Sequence, residues 1–438
     1  MKTKTVISRT LIAIIGIGVI GAVALNFYKG PTSPLSTESV EPSTALIERG
    51  AYLAQLGDCT SCHTSNSEEP FAGGLAFELP IGTLYSPNIT PDKTEGIGDY
   101  TLSDFDNAVR FGIRKDGKSL YPAMPFPDYA VLKEEDIKAL YAYFLYGVKP
   151  LNIAEKANGI TWPLSMRWPL TAWRLLYSQT PKAFDDGQYS DPEIARGAYL
   201  VQGLGHCGSC HTPRGLAINE KSYSESDNSY LSGGSAPIDG WIPINLRGDN
   251  HTGLGHYSVE ELTELLATGR SKHHAVFGSM EEVINNSLQY GSEEDIRAMA
   301  KYLKSLTPVE IDNPAFVYDE STHEKLVSGD DSARGASHYI DSCAACHRTT
   351  GLGYDGVFPA LAGNPSLQNA NPISAINIIA QGSISHGTTH APTVFEMPDM
   401  ATDRLSDEQI ADLATFIRTS WGNKGTPVSV SDVEKVLK

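Results

Sequence analysis

Three times along the chain, a cluster of acidic residues gives way to apolar positions at helical spacing. In Glu134-Glu135-Asp136-Ile137-Lys138-Ala139-Leu140, the positions Ile137, Leu140, Tyr141 and Phe144 fall on one face. The same opening returns at Ser292-Glu293-Glu294-Asp295-Ile296 and at Ser406-Asp407-Glu408-Gln409-Ile410, with Ser292 and Asp295 at the spacing of a capping box. Upstream of each, a second helical pattern runs up to a glycine: 102–111 before Gly112, 259–268 before Gly269, and 374–381 before Gly382. Farther upstream lies a short pattern built on Arg-Gly-Ala, at Arg49-Gly50-Ala51, Arg196-Gly197-Ala198 and Arg334-Gly335-Ala336. Period-two runs of β-branched residues are scarce. The patterning predicts a mostly α protein in which one supersecondary plan is written three times. The expected modules are 45–155, 189–310 and 327–425, with an amino-terminal segment 1–30, a tether 31–44, a linker strap 156–188 and a tail 426–438.

Composition sharpens this reading in two places. A chain of 438 residues exceeds what one hydrophobic core usually holds, which agrees with several modules. The formal charge of −18 disfavours nucleic acid or anionic lipid as the main partner.

The cysteines carry the chemistry. All six fall in three CxxC pairs, Cys59 with Cys62, Cys207 with Cys210, and Cys343 with Cys346, and each pair is followed at once by a histidine, His63, His211 or His347. Each Arg-Gly-Ala lies nine to eleven residues before its pair. Cys-x-x-Cys-His is the attachment signature of haem c, and at these residue frequencies chance supplies about 0.002 matches. A structural zinc site needs four converging ligands, and the pairs are 148 and 136 residues apart. A thioredoxin-like redox pair has no use for three copies each trailed by histidine. The sequence therefore predicts three covalently bound haems c, in three tandem class I-like cytochrome c domains behind an amino-terminal signal or anchor segment.

That segment has the form of an export signal. Lys2, Lys4 and Arg9 precede an uncharged stretch that ends at Lys29. Ala22-Val23-Ala24 fits a cleavage site, while 11–27 supplies 17 apolar or small residues, the low end for a membrane span. Either way the remainder is delivered to the periplasmic side, where c-type haem is attached. The tether 31–44 is rich in Pro, Ser, Thr and Glu and reads as a linker.

Each repeat also carries a proline after its histidine: Pro87, Pro243 and Pro359. A carbonyl in such a segment can accept from the second ring nitrogen of the ligating histidine. The other face of each haem needs a ligand too. Between the second and last helical patterns every repeat holds a methionine: Met124, Met280 and Met397. A lone methionine is usually core filler, but the same slot recurs three times among only seven methionines. Met400 competes with Met397, which is preferred because Met397-Pro398 mirrors Met124-Pro125. Histidines are the remaining candidates, His273 and His274 before Met280, and His386 and His390 before Met397. His/Met ligation closes the iron to oxygen or peroxide and raises its potential, which suits relay rather than catalysis.

The chain resembles the tri-haem cytochrome c subunits of membrane-bound bacterial dehydrogenases of the quinone-reducing alcohol, gluconate and fructose type. The resemblance covers roughly residues 45–425. It is most specific in Tyr85-Ser86-Pro87-Asn88-Ile89-Thr90-Pro91-Asp92, Gly96-Ile97-Gly98, 120–127, 275–280, and Phe416-Ile417-Arg418 through Trp421-Gly422-Asn423. It implies a large catalytic partner holding flavin, pyrroloquinoline quinone or a molybdenum centre, with ubiquinone or a terminal oxidase as acceptor. The chain itself would be no enzyme. Alcohol-oxidising members often hold the membrane by an amphipathic carboxy-terminal extension, whereas the fifteen residues after Asn423 here are too short and polar a stretch for that. Membrane attachment then falls to the amino-terminal segment.

The strap carries three of the five tryptophans, Trp162, Trp168 and Trp173. It can serve as a partner- or quinone-facing surface, or pack the first two modules together. Two other functions compete: an independent respiratory or oxidase-associated carrier, which would purify alone, and a haem peroxidase, whose reduced iron would bind carbon monoxide.

Overall fold

The computed structural model describes residues 16, 20–28, 30–37, 40–79, 81–272, 274–312, 314–401 and 405–437. The protein is mostly helical, and its strands form two short antiparallel ribbons, Ala76–Leu79 with Gly82–Tyr85 and Ser383–Ser385 with Phe395–Met397. Two compact units result: Met1–Ala54 with Cys59–Phe184, and Asp185–Lys438 with Gln55–Asp58.

In the first unit, Thr44–Leu56 crosses Glu134–Ala142 at Gly50, where a Cβ would collide with the Ala139 carbonyl. Arg49 Nε donates to Asp136 Oδ1 at 2.9 Å beside that crossing. The apolar face expected from sequence is buried, with Ile137 and Leu140 in the core and Phe144 edge-on to Phe71 at 5.2 Å.

The strap belongs to this unit. Lys182 and Phe184 donate their backbone N–H groups to the carbonyls of Ala130 and Val131. Its helix Trp168–Tyr177 sets Trp173 edge-on to Phe126, and Leu170 joins Leu84, Tyr121 and Ile160.

Within the second unit, the second and third repeats pack together. Ile242 N–H donates to Ser374 Oγ, Asn377 Nδ2 to the Gly240 carbonyl, and Gln368 Nε2 to the His251 carbonyl. The crossing seen in the first repeat returns twice. Gly197 of Pro192–Tyr199 abuts Ala298 of Glu293–Ser305, and Gly335 abuts Asp412 of Asp407–Thr419. Arg196 grips Asp295 through two bonds of 2.7 Å, and Arg334 pairs with Asp412.

The stretch 426–438, expected to be a tail, folds back instead. Val430–Leu437 is a helix, and Val428 and Val433 are buried in the core of the third repeat.

Most of the segment expected to be a signal or anchor lies outside the described residues, although a helical stretch is described over 20–27. Among the described residues, no helix is long and apolar enough to cross a membrane.

Candidate haem-binding sites

Each Cys-x-x-Cys-His sits on a short helical turn at the end of the Arg-Gly-Ala helix. The turns are Cys59–His63, Gly208–His211 capped by Cys207, and Ala344–His347 capped by Cys343. Three-residue spacing on a helical turn places both sulfurs of a pair on one side of it. In the second repeat the preceding helix ends in one wide turn, Leu200–Leu204, whose 200 carbonyl accepts from Gly205 N–H just before Cys207.

The six cysteines of the three motifs are not enclosed alike. Cys343 and Cys346 are half-buried and line a cavity together with His347. Cys59 and Cys62 are half-buried on the turn of the first repeat, and in the second Cys207 is half-buried while Cys210 is exposed. How far each cysteine is enclosed depends on what packs over its turn. Thioether formation needs a sulfur that can be reached, and both Cys62 and Cys210 retain that access.

All three histidines are oriented alike. Nδ1 of His63 lies 2.9 Å from the Pro87 carbonyl oxygen, Nδ1 of His211 2.7 Å from that of Ile244, and Nδ1 of His347 2.9 Å from that of Pro359. A carbonyl only accepts, so Nδ1 carries the proton and Nε2 keeps its lone pair. Burial pushes all three imidazoles below their usual pKa, only partly offset by that hydrogen bond, which keeps them neutral as iron ligation requires.

In the second repeat the acceptor is Ile244, within the proline-bearing segment Ile242-Pro243-Ile244-Asn245-Leu246 expected to supply it. The signal overlooked was the asparagine that follows the acceptor. Pro87 precedes Asn88, whose side chain donates to the carbonyls of Leu151 and Ile153 and accepts from Thr90. Ile244 precedes Asn245, which accepts from Arg247 N–H and donates to Asp249. In the third repeat Ala360 stands at that place. There Asn423 steadies the loop from outside, accepting from Gly363 N–H and donating to the carbonyls of Leu361 and Ile417.

The methionines occupy three kinds of backbone rather than one kind of loop. Met124 lies in a turn before the Phe126–Tyr129 helix, Met280 in the first turn of Ser279–Asn286, and Met397 at the end of a strand. In the third repeat Cys343, Cys346, His347, Met397 and Met400 line one cavity, walled by apolar side chains such as Ile379, Phe395 and Ile417. Two thiols, a neutral imidazole and a thioether around an apolar slot are the donor set that a thioether-linked macrocycle and its iron require. Met400 is 5% exposed and packs into the core with Ile376 and Ile410, while Met397 is half-buried at the strand end.

Of the alternative ligands, His274 is packed against the rings of Tyr257 and His256 at 4.3 and 5.5 Å. His386 and His390 are exposed, and His273 lies outside the described residues.

The turn, the neutral imidazole and the apolar slot define a c-type cytochrome, with haem c held covalently. The family model for cytochrome c matches residues 47–146 and 332–421. The chain is 50% identical over 402 residues to the gluconate 2-dehydrogenase cytochrome c subunit of Pantoea cypripedii, covering 91% of each. It is 47% identical to the cytochrome c subunit of the quinone alcohol dehydrogenase of Gluconobacter oxydans (strain 621H), covering 95% of this chain and 86% of the relative. It is 36% identical to the fructose dehydrogenase cytochrome subunit of Gluconobacter japonicus, covering 94% and 86%. The chain belongs to this family of cytochrome c subunits of bacterial dehydrogenases.

Proposed function

We propose that the chain carries three haems c and relays electrons from a catalytic dehydrogenase subunit to ubiquinone or a terminal oxidase. In this reading the haems are attached through Cys59 and Cys62, through Cys207 and Cys210, and through Cys343 and Cys346. The iron ligands are His63 with Met124, His211 with Met280, and His347 with Met397. The modules are 45–155, 189–310 and 327–425. The observation that carries the reading is the threefold hydrogen bond from a ligand-histidine Nδ1 to a loop carbonyl, made in all three repeats.

When bound, haem supplies one-electron redox chemistry. The chain's residues do the rest. The carbonyls of Pro87, Ile244 and Pro359 hold the imidazole proton on Nδ1 and raise the basicity of Nε2. The apolar walls exclude water, and methionine at the sixth position leaves no place for oxygen. The relatives' names as dehydrogenase subunits support a catalytic dehydrogenase partner, which in this reading holds flavin, pyrroloquinoline quinone or a molybdenum centre. The export-like segment 1–30 supports a place on the periplasmic face of the cell membrane.

The intact mass of the exported protein tests the count, with an increment of three haems c expected and two overturning it. Met124→Ala should abolish the methionine-to-iron charge-transfer band of one haem, and an unchanged band would overturn that ligand. Stoichiometric co-purification with a flavin, quinone or molybdenum protein tests the partner.

A further inference from the structure

We propose that the strap around the Trp168–Tyr177 helix rests on the phospholipid surface, as a second contact beside the amino-terminal segment. This rests on the reading that segment 1–30 reaches the membrane.

The helix is amphipathic in the wrong sense for a water-facing element. Its inner face packs Trp173 and Leu170 on the first repeat but also turns two polar side chains inward. Thr171 Oγ1 shares a 3.1 Å hydrogen bond with Ser119 Oγ, and Arg174 donates to Ser119 Oγ and to the Phe111 carbonyl at 3.2 and 3.3 Å. Its outer face ends in Leu175, Leu176 and Tyr177, with Leu176 73% exposed. The strap adds Leu164 and Trp162, the latter 78% exposed. Leaving such a face to water forgoes the usual apolar gain, whereas leucine, tyrosine and tryptophan side by side suit the headgroup boundary of a bilayer.

Two observations select lipid as the occupant. The first is continuity with the apolar amino terminus. Gly30 packs on the strap helix so closely that a Cβ there would stand 3.0 Å from Leu175 Cδ2. Ser33 N–H is tied to Asn107 Oδ1 at 2.8 Å, while Phe27 and Tyr28 are exposed just before Gly30. The described helical stretch 20–27 thus ends at the margin of the strap's apolar face. The second is local charge. The protein as a whole is at −18, yet between Glu155 and Asp185 it carries no acidic residue, and with Arg174 turned inward the exposed Lys156 and Lys182 leave this stretch basic. Basic residues beside an apolar face favour an anionic leaflet.

The test uses the full-length holoprotein in vesicles of phosphatidylglycerol and phosphatidylethanolamine containing a lipid with a photoactivatable diazirine near the headgroup. Labelled peptides are mapped by mass spectrometry. Labelling of both 162–177 and the amino-terminal segment is expected. Leu175→Ser with Leu176→Ser should cut labelling of the strap several-fold and leave the amino-terminal labelling and haem content unchanged. Labelling confined to the amino-terminal segment, or a strap signal unchanged in the double variant, overturns the proposal. It would then point to a protein partner on this face. Labelling of neither segment overturns the membrane reading itself, and this proposal with it.

Discussion

Gly197 lies against Ala298 so tightly that a Cβ on the glycine would overlap the alanine carbonyl oxygen. The contact joins the helix that leads into Cys207 to the last helix of the repeat, and Arg196 bonds Asp295 one turn away. The glycine sets the distance between the helices, and the ion pair sets their register. Gly197→Ala should therefore force the crossing apart, at a cost of about 3 kcal/mol. Urea unfolding followed by circular dichroism would measure this, and a loss comparable to an exposed substitution would contradict it.

Asn88 supports the carbonyl that orients His63. Its side chain accepts two hydrogen bonds from Thr90 and donates two to the distant carbonyls of Leu151 and Ile153. Asn88→Ala leaves buried partners unsatisfied and should cost about 2 kcal/mol. It should also loosen the Nδ1–H bond, lower the basicity of the ligand and raise the potential of one haem only. Spectroelectrochemical titration resolves the individual couples, and unshifted couples would show that the loop is held by other means.

Asp191 gives a pH dependence with a defined sign. Its carboxylate is held below the usual range by Lys301 first, and then by the Glu193 N–H that it caps. The unfolded chain thus binds the proton more readily than the folded one. The contribution is complete above the ordinary value of 3.8 and is lost as the pH falls through the depressed one. Asp191→Asn keeps a capping oxygen but not the charge. The gap in urea midpoint between wild type and this variant should shrink from about pH 6 to about pH 3. A constant gap would mean that the charge is irrelevant.

Arg418 is a fully buried guanidinium that holds the carboxy-terminal stretch to the third repeat. It donates to the carbonyls of Thr426 and Asn369 and to Thr426 Oγ1. Burial pushes its pKa down to about 10. Arg418→Ala should cost about 3 kcal/mol, because those acceptors lose a charged donor inside the protein. Limited proteolysis should then release 426–438 first.

The Arg-Gly-Ala repeat was legible because it carries a mechanical role in every copy: the arginine pairs with an aspartate of the last helix, and the glycine admits that helix. Its third copy differs in a way that residue identity alone hides. Asp136 and Asp295 sit immediately before the first core isoleucine, but Asp412 sits two residues after Ile410, so the pairing shifts along the helix. The capping box at Ser292 was half legible. Ser292 accepts from Asp295 N–H, but the aspartate side chain is engaged by Arg196, and reciprocal boxes form instead at Thr101, Ser258 and Ser406. The cysteine motif told where Cys62 and Cys210 lie along their turns, but not that one is half-buried and the other exposed, because enclosure depends on what packs over each turn. The prolines marked the segments that supply the acceptor carbonyls but not which residue of each does so, Pro87 and Pro359 in two repeats and Ile244 in the other. The asparagine that shapes the loop acts through long-range bonds that no local pattern reveals. The same limit hid the folding back of 426–438, whose two core valines are unremarkable until Arg418 and Thr415 receive them.

The wall of the third cavity includes Arg270, Ala275, Val276 and Phe277, all from the second repeat, and Arg270 donates to the carbonyls of Ala391 and Thr393. A gene fragment encoding only the last repeat would therefore yield a cytochrome with one side of its pocket missing. The final two repeats form a single heritable unit, in which drift at one pocket is answerable to the other.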